Sequence, residues 1–166
     1  MARYPEIQKR ARQEIHEQIG RVRVPEMADR SVLKYTDAVL SEVQRFGTIV
    51  PLSIARTTNG PSCLGGYNLP DKTILIPNLY AVHRDPELWP DPMNFNPESN
   101  FLVRNSKGEI TGQKNQEYLI PFSLGKRSCP GETFAKQELF IFFVGLLQHF
   151  EILSSERSRC LKYHDF

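Results

Sequence analysis

Apolar residues recur at helical spacing in three stretches of the chain, and between the second and third stretches the period changes. Near the start, Ile7, Ala11, Ile15 and Ile19 form one stripe with charged residues on the other side, which predicts an amphipathic helix. Residues 35 to 46 repeat the pattern with Val39, Leu40, Val43 and Phe46; Thr36 or Asp37 is available as a cap and Gly47 as the stop. The third stretch, residues 134 to 148, is apolar all round. It predicts a helix buried in a core, with membrane contact through this surface as the lesser alternative. Residues 49 to 57 and 73 to 77 are rich in β-branched and apolar residues, and Asn59-Gly60-Pro61 and Gly65-Gly66 turns separate them. They predict strands of one small sheet, and a further short strand is expected at residues 150 to 153. The proline-rich text from 86 to 97 predicts a rigid, irregular connector, and the polar residues 105 to 115 a mobile loop. The fold class that follows is mainly α with a small β-sheet (α+β), in one domain over residues 1–166.

Composition narrows the function classes. The 166 residues are 40% hydrophobic, enough for one core, and the net charge of +2 does not suggest a nucleic-acid partner. Basic residues do gather at the start, in Arg3, Lys9, Arg10, Arg12, Arg21 and Arg23; they are read as the solvated face of the first helix. No run approaches the roughly 18 to 20 apolar residues that cross a bilayer, so no transmembrane segment is predicted. Cys63, Cys129 and Cys160 are widely spaced and no signal peptide precedes them, which points to a reducing compartment without structural disulfides. There are no internal repeats.

The chemistry concentrates where Phe122, Gly125, Arg127, Cys129 and Gly131 fall in the pattern Phe-x-x-Gly-x-Arg-x-Cys-x-Gly, just before the third helix. A cysteine at a helix start meets the positive end of the helix dipole, which favours the thiolate that a soft metal needs as ligand. Gly125 and Gly131 permit positive φ and close backbone approach, so a flat cofactor has room against the loop. Arg127 offers a fixed fork for a carboxylate on that cofactor. A lone cysteine is more often a small buried hydrophobe, and it is the four neighbours that set this one apart. A phosphate-binding loop fails, because Gly125-Lys126 is followed by Arg127 rather than Ser or Thr. Zinc is disfavoured, since the cysteines form no C-x-x-C pair and His16, His83, His149 and His164 lie at no ligand spacing. A thiol nucleophile is the weaker alternative, with no histidine near Cys129 in sequence. Glu42 and Arg45 sit three apart on one helix face, a pair worth only a few tenths of a kcal/mol if exposed.

Together with that loop, Glu42-Val43-Gln44-Arg45, Ala81-Val82-His83-Arg84-Asp85-Pro86, Trp89-Pro90-Asp91-Pro92 and Phe95-Asn96-Pro97-Glu98 resemble, in order and spacing, the cytochrome P450 family of haem-thiolate monooxygenases. The context 33 to 39 is similar to the animal microsomal branch, and the likeness runs over most of the chain. It implies the C-terminal portion of that fold, binding haem b with Cys129 as axial thiolate and Arg127 as a propionate partner. Arg56 would be a second propionate partner, against the plainer reading of a strand residue snorkelling to water. Phe122 would pack beside the sulfur, with Gly125 and Gly131 shaping the loop. The resemblance also implies that Glu42 and Arg45 are buried against the connector. Asn100 stands where relatives carry a basic third partner, with one extra residue between Phe95 and Phe101. Val50, Leu52 and Ile54 match a segment bordering the substrate pocket, and Lys126 and Lys136 would meet an acidic electron donor.

The implied activity is insertion of one atom of O2 into a small lipophilic substrate, with electrons from NADPH through a reductase. The implied place is the cytosolic face of the endoplasmic reticulum membrane or, for a chain with no anchor, the cytoplasm. The acidic-Thr helix and the N-terminal anchor of the family are not found, and the text closes early at residues 160 to 166. The expectation is therefore a truncated piece, inactive alone; the alternative is a non-catalytic haem-binding or interaction module.

Overall fold

A computed structural model describes residues 1–154. Cys160 and His164, and with them the early close of the text at 160 to 166, lie outside the described residues. Helix α1 (Pro5–Gln18) leads through a 3-10 turn (Met27–Ser31) into α2 (Lys34–Gly47). Four short strands follow: β1 (Arg56–Thr57), β2 (Ser62–Leu64), β3 (Tyr67–Leu69) and β4 (Ile74–Leu75). Then come α3 (Leu79–Val82), the irregular connector, α4 (Pro97–Phe101), β5 (Leu102–Arg104), β6 (Ile110–Gln113) and α5 (Glu132–His149). Helix-rich with small antiparallel sheets, this is the α+β class expected.

The apolar stripes meet where α1, α2 and α5 pack together. Ala11, Ile15, Leu33, Ala38, Val39, Phe140, Val144 and Leu147 are buried there, and Trp89 and Phe101 close the core from the connector side. Long-range polar contacts fix the angles. The Glu14 carboxylate of α1 accepts from the Tyr35 and Thr36 N–H groups (2.9 and 2.7 Å) and from the Thr36 hydroxyl. The orphan donors at the start of α2 are thus capped by another helix, not by Thr36 or Asp37 as expected. At the other end Gly47 is still helical, and Thr48 makes the stop in the left-handed region with φ 35°.

Other expectations are corrected for related reasons. The basic N-terminal cluster is not simply solvated: Arg12 Nε donates to Leu147 O (3.0 Å) and His16 Nε2 lies 3.0 Å from Gln148 O, so α1 satisfies the last carbonyls of α5. Arg10 pairs with Glu98 and lies over the Tyr35 ring. Residues 49 to 77 form two separate antiparallel ribbons, β1 with β4 and β2 with β3, rather than one sheet. Residues 105 to 115 are not a free loop: they hold the turn and second strand of a hairpin in which β6 pairs with β5. No strand forms at residues 150 to 153; the buried side chain of Gln8 takes a partner strand's place, bonding both the N–H and the carbonyl of Ile152.

Helix α5 departs most from expectation. Phe140, Val144 and Leu147 are buried, but Phe134 and Phe142 are each 64% exposed and Leu146 is 51% exposed. All-round hydrophobicity requires partners on both sides to give all-round burial, and among the described residues α1, α2 and the 3-10 turn cover one side. No helix is long and apolar enough to cross a membrane among the described residues.

Candidate functional site

The side chains of Glu42 and Arg45 are fully buried, and neither is left unpaired. Arg45 Nε and Nη2 grip the Glu42 carboxylate in a bidentate fork (2.7 and 2.8 Å). The remaining N–H groups donate to connector carbonyls: Nη1 to His83 O (2.6 Å) and Pro92 O (2.8 Å), Nη2 to Asn94 O (3.0 Å). Glu42 Oε1 accepts in addition from the Asn96 N–H (2.8 Å) and from Asn100 Nδ2 (3.0 Å). Asn100 thus stands as the third member of the group, and its Oδ1 accepts from the Asp91 N–H (3.0 Å). A neutral amide there leaves the carboxylate and the guanidinium as one balanced charge pair. The connector has little regular structure, and these bonds, with the Trp89 indole N–H to Val82 O (2.8 Å), hold it rigid.

From the connector the chain runs into the cysteine loop. Ser123 (φ 66°) and Gly125 (φ 77°) both take left-handed backbone, and the Ser123 N–H closes a turn on Ile120 O at 3.0 Å. A 3-10 turn over Gly125–Arg127 follows, and the Cys129 N–H closes the larger loop on Phe122 O at 3.0 Å. Gly125 has the positive φ expected of it. Gly131 does not: it is the N-cap of α5 with φ −90°, and a Cβ there would lie 3.9 Å from Cys129 Sγ, an ordinary contact. The space it leaves is beside the sulfur, not in the backbone.

Cys129 is exposed, and its carbonyl accepts from the Glu132 N–H as α5 begins. Phe122 is half-buried with the Lys136 ammonium 5.9 Å from its ring centre; Lys136 itself pairs with Glu132 at 2.6 Å. Arg56, on β1, reaches across 71 positions to donate from Nη2 to Arg127 O at 2.8 Å. The structure therefore brings Arg56, Arg127 and Cys129 to one loop, with the Arg56 guanidinium on a solvent-exposed backbone carbonyl. Leu124 in that loop and Phe134 in the first turn of α5 leave large apolar surfaces uncovered. Val50, Leu52 and Ile54 are exposed in the irregular segment before β1.

A family model described as Cytochrome P450 matches residues 1–166. The chain belongs to the cytochrome P450 family. It is 49% identical to cytochrome P450 2J1 of Oryctolagus cuniculus over 150 residues, 90% of this chain and 28% of that protein. It is 46% identical to cytochrome P450 2J2 of Homo sapiens over 150 residues (90% and 28%), and 42% identical to cytochrome P450 2U1 of Bos taurus over 159 residues (96% and 28%). The chain thus spans less than a third of the length of these relatives.

Membership implies a haem, and the cysteine loop of this P450 chain fits one by its donor set. An exposed sulfur, the Arg127 of its own loop, an Arg56 guanidinium bonded to that loop's backbone and uncovered apolar side chains next to them are the donor set that an iron, two carboxylates and an apolar macrocycle require.

In the sequence His83 falls at no ligand spacing and stands only as part of the connector motif, with no role of its own. It is fully buried next to the Arg45 network, and burial, followed by the positive charges of Arg45 and Arg84, pushes its imidazolium down to about 4. The native ring is therefore neutral at pH 7, while the unfolded chain takes up this proton below about pH 6.5. Its contribution to stability is full above that value and is lost as pH falls towards 4, by about 1.4 kcal/mol per pH unit. We expect urea midpoints of the native chain to drop between pH 7 and pH 5 more steeply than those of a His83→Gln variant. Parallel pH profiles would refute it.

Proposed function

We propose that this chain is the thiolate-bearing part of a haem monooxygenase that inserts one atom of O2 into a small lipophilic substrate. Electrons would come from NADPH through a reductase-type donor. The observation that carries the reading is the solvent-facing Cys129 sulfur on a loop to which Arg56 and Arg127 are both joined. Cys129 would hold the iron, and Arg127 and Arg56 would neutralise the two propionates. Haem ligated by an anionic sulfur supplies the electron push that favours O–O bond cleavage.

The chain's own residues prepare that site. The backbone bond from the Cys129 N–H to Phe122 O ties the two sides of the loop together, so the sulfur would be held at one place on it. Phe122 would pack beside the sulfur and limit the access of water to it. Gly131 keeps a side chain from standing against the sulfur. Asn100, Glu42 and Arg45 keep the connector in place without contact with the reacting atoms. Val50, Leu52 and Ile54 would offer apolar contacts to a substrate, and Lys126 with Lys136 would meet an acidic donor protein at the cytosolic face of the endoplasmic reticulum membrane.

The test is spectroscopic. The purified chain with ferrous haem and CO is expected to give the red-shifted Soret band of thiolate ligation; a spectrum identical to free haem with CO would sink the reading. Turnover with a reductase and NADPH is then expected to be absent for this chain alone, as for a piece of such an enzyme or a non-catalytic module. Product above a reductase-only control would overturn that expectation and mark a chain competent by itself.

A further inference from the structure

Besides the bonds within residues 120–129, two hydrogen bonds link this loop to distant parts of the chain among the described residues. One is the Arg56 bond to Arg127 O near the exit. The other is at the entry: the Ile120 N–H points at His83 Nε2, 3.1 Å away. An amide N–H can only donate, so Nε2 must be the unprotonated acceptor. The ring hydrogen is then on Nδ1, which faces Thr48 Oγ1 at 3.3 Å. Thr48 in turn donates to Arg45 O, and the His83 backbone carbonyl accepts from Arg45 Nη1 at 2.6 Å. One imidazole, fully buried and in a single tautomer, therefore stands between the Glu42–Arg45 group and the segment that carries the sulfur.

We propose that His83 is a positioning residue for the thiolate: by accepting the Ile120 N–H it fixes where the cysteine loop starts, and so how firmly the Cys129 sulfur is held at the iron. This rests on the haem-thiolate reading above. The physical basis is a short lever. Ile120 O closes the turn on the Ser123 N–H, and Phe122 O closes the loop on the Cys129 N–H, so a shift at Ile120 is passed to the sulfur through two backbone bonds rather than through loose chain. Loss of the acceptor would leave a partly buried N–H unpaired, and the loop would move to give it water. The neighbouring ring of Trp89, with centroids 6.4 Å apart, limits how far any replacement can swing.

Two variants of the full chain, each mixed with ferrous haem and CO, test it. In His83→Gln the amide oxygen reaches about as far as Nε2 and can still accept from Ile120. In His83→Asn the amide reaches only as far as Nδ1, where its NH2 group can donate to Thr48 Oγ1, and nothing is left to accept from Ile120. Both are neutral and polar, so a merely structural role would affect them alike. The expected result is a native-like thiolate Soret band in His83→Gln. In His83→Asn the band should fall, with gain of the band of haem lacking thiolate, and exchange of the Ile120 amide should be about tenfold faster, the loss of a single hydrogen bond. Equal spectra and equal Ile120 exchange in the two variants would overturn the proposal, as would failure of both to fold. If the unsubstituted chain itself gives no thiolate band, the haem-thiolate reading has failed instead, and the two failures are distinguishable.

Discussion

Replacing Arg45 by alanine is expected to cost about 3–5 kcal/mol and to leave most of the chain unfolded at 37 °C. All five guanidinium N–H groups have acceptors: two on Glu42 and one each on the carbonyls of His83, Pro92 and Asn94. Alanine would leave the Glu42 carboxylate buried without its counter-charge, held by Asn96 and Asn100 alone, and three carbonyls without this donor. It would also open a cavity beside Trp89, whose ring the guanidinium faces at 5.3 Å. Arg45→Lys is no remedy, because an ammonium carries three donors in a different geometry and cannot make the bidentate fork. Urea unfolding followed by circular dichroism would measure the loss; a change below about 1 kcal/mol would mean that the group is dispensable. The contrast with an exposed pair at the same spacing, worth a few tenths of a kcal/mol, is set by burial and not by the residues themselves.

Cys129→Ser should have the opposite profile, a total loss of the thiolate Soret band with the fold untouched. The Cys129 side chain is exposed, and the loop is closed by its backbone N–H, which serine keeps. A stability change within about 0.5 kcal/mol is therefore expected. The hydroxyl is not ionised at neutral pH and is a hard donor, so serine cannot supply the anionic sulfur. Cys63, also exposed but on β2, is the internal control, and Cys63→Ser should leave the spectrum unchanged. A thiolate band that survives Cys129→Ser but vanishes with Cys63→Ser would move the ligand to the wrong ribbon and refute the assignment. Comparing the Arg45 and Cys129 variants separates the group that holds the scaffold from the atom that would do the chemistry.

The site was legible to different depths. The cysteine loop stood out because its requirements are local: a glycine where the backbone is left-handed, a cysteine where a helix begins, and a cation between them. Glu42 and Arg45 could be placed on one helix face from spacing alone, but their burial came from the resemblance, and the acceptors come from residues 38 to 49 positions further on. His83 gave no signal of its own, because a histidine in a connector reads as any polar residue until its ring is seen between Thr48 and Ile120. The strand within 105 to 115 gave no signal because that segment is polar, and pairing of β6 with β5 supplied the order that side-chain burial did not.

By itself the sequence determined the three long helices, the turns, the family and the identity of the one sulfur before a helix, since periodicity and turn chemistry act within a few residues. Only the tertiary structure decided that Glu14 caps α2, that the Glu42–Arg45 charge is sealed from water, that Arg56 meets Arg127, and that α5 is buried on one side. The reason is physical. The energy of a charge, or of an apolar face, depends on which groups surround it and how much water they exclude, and those groups are brought together by the fold from distant parts of the chain.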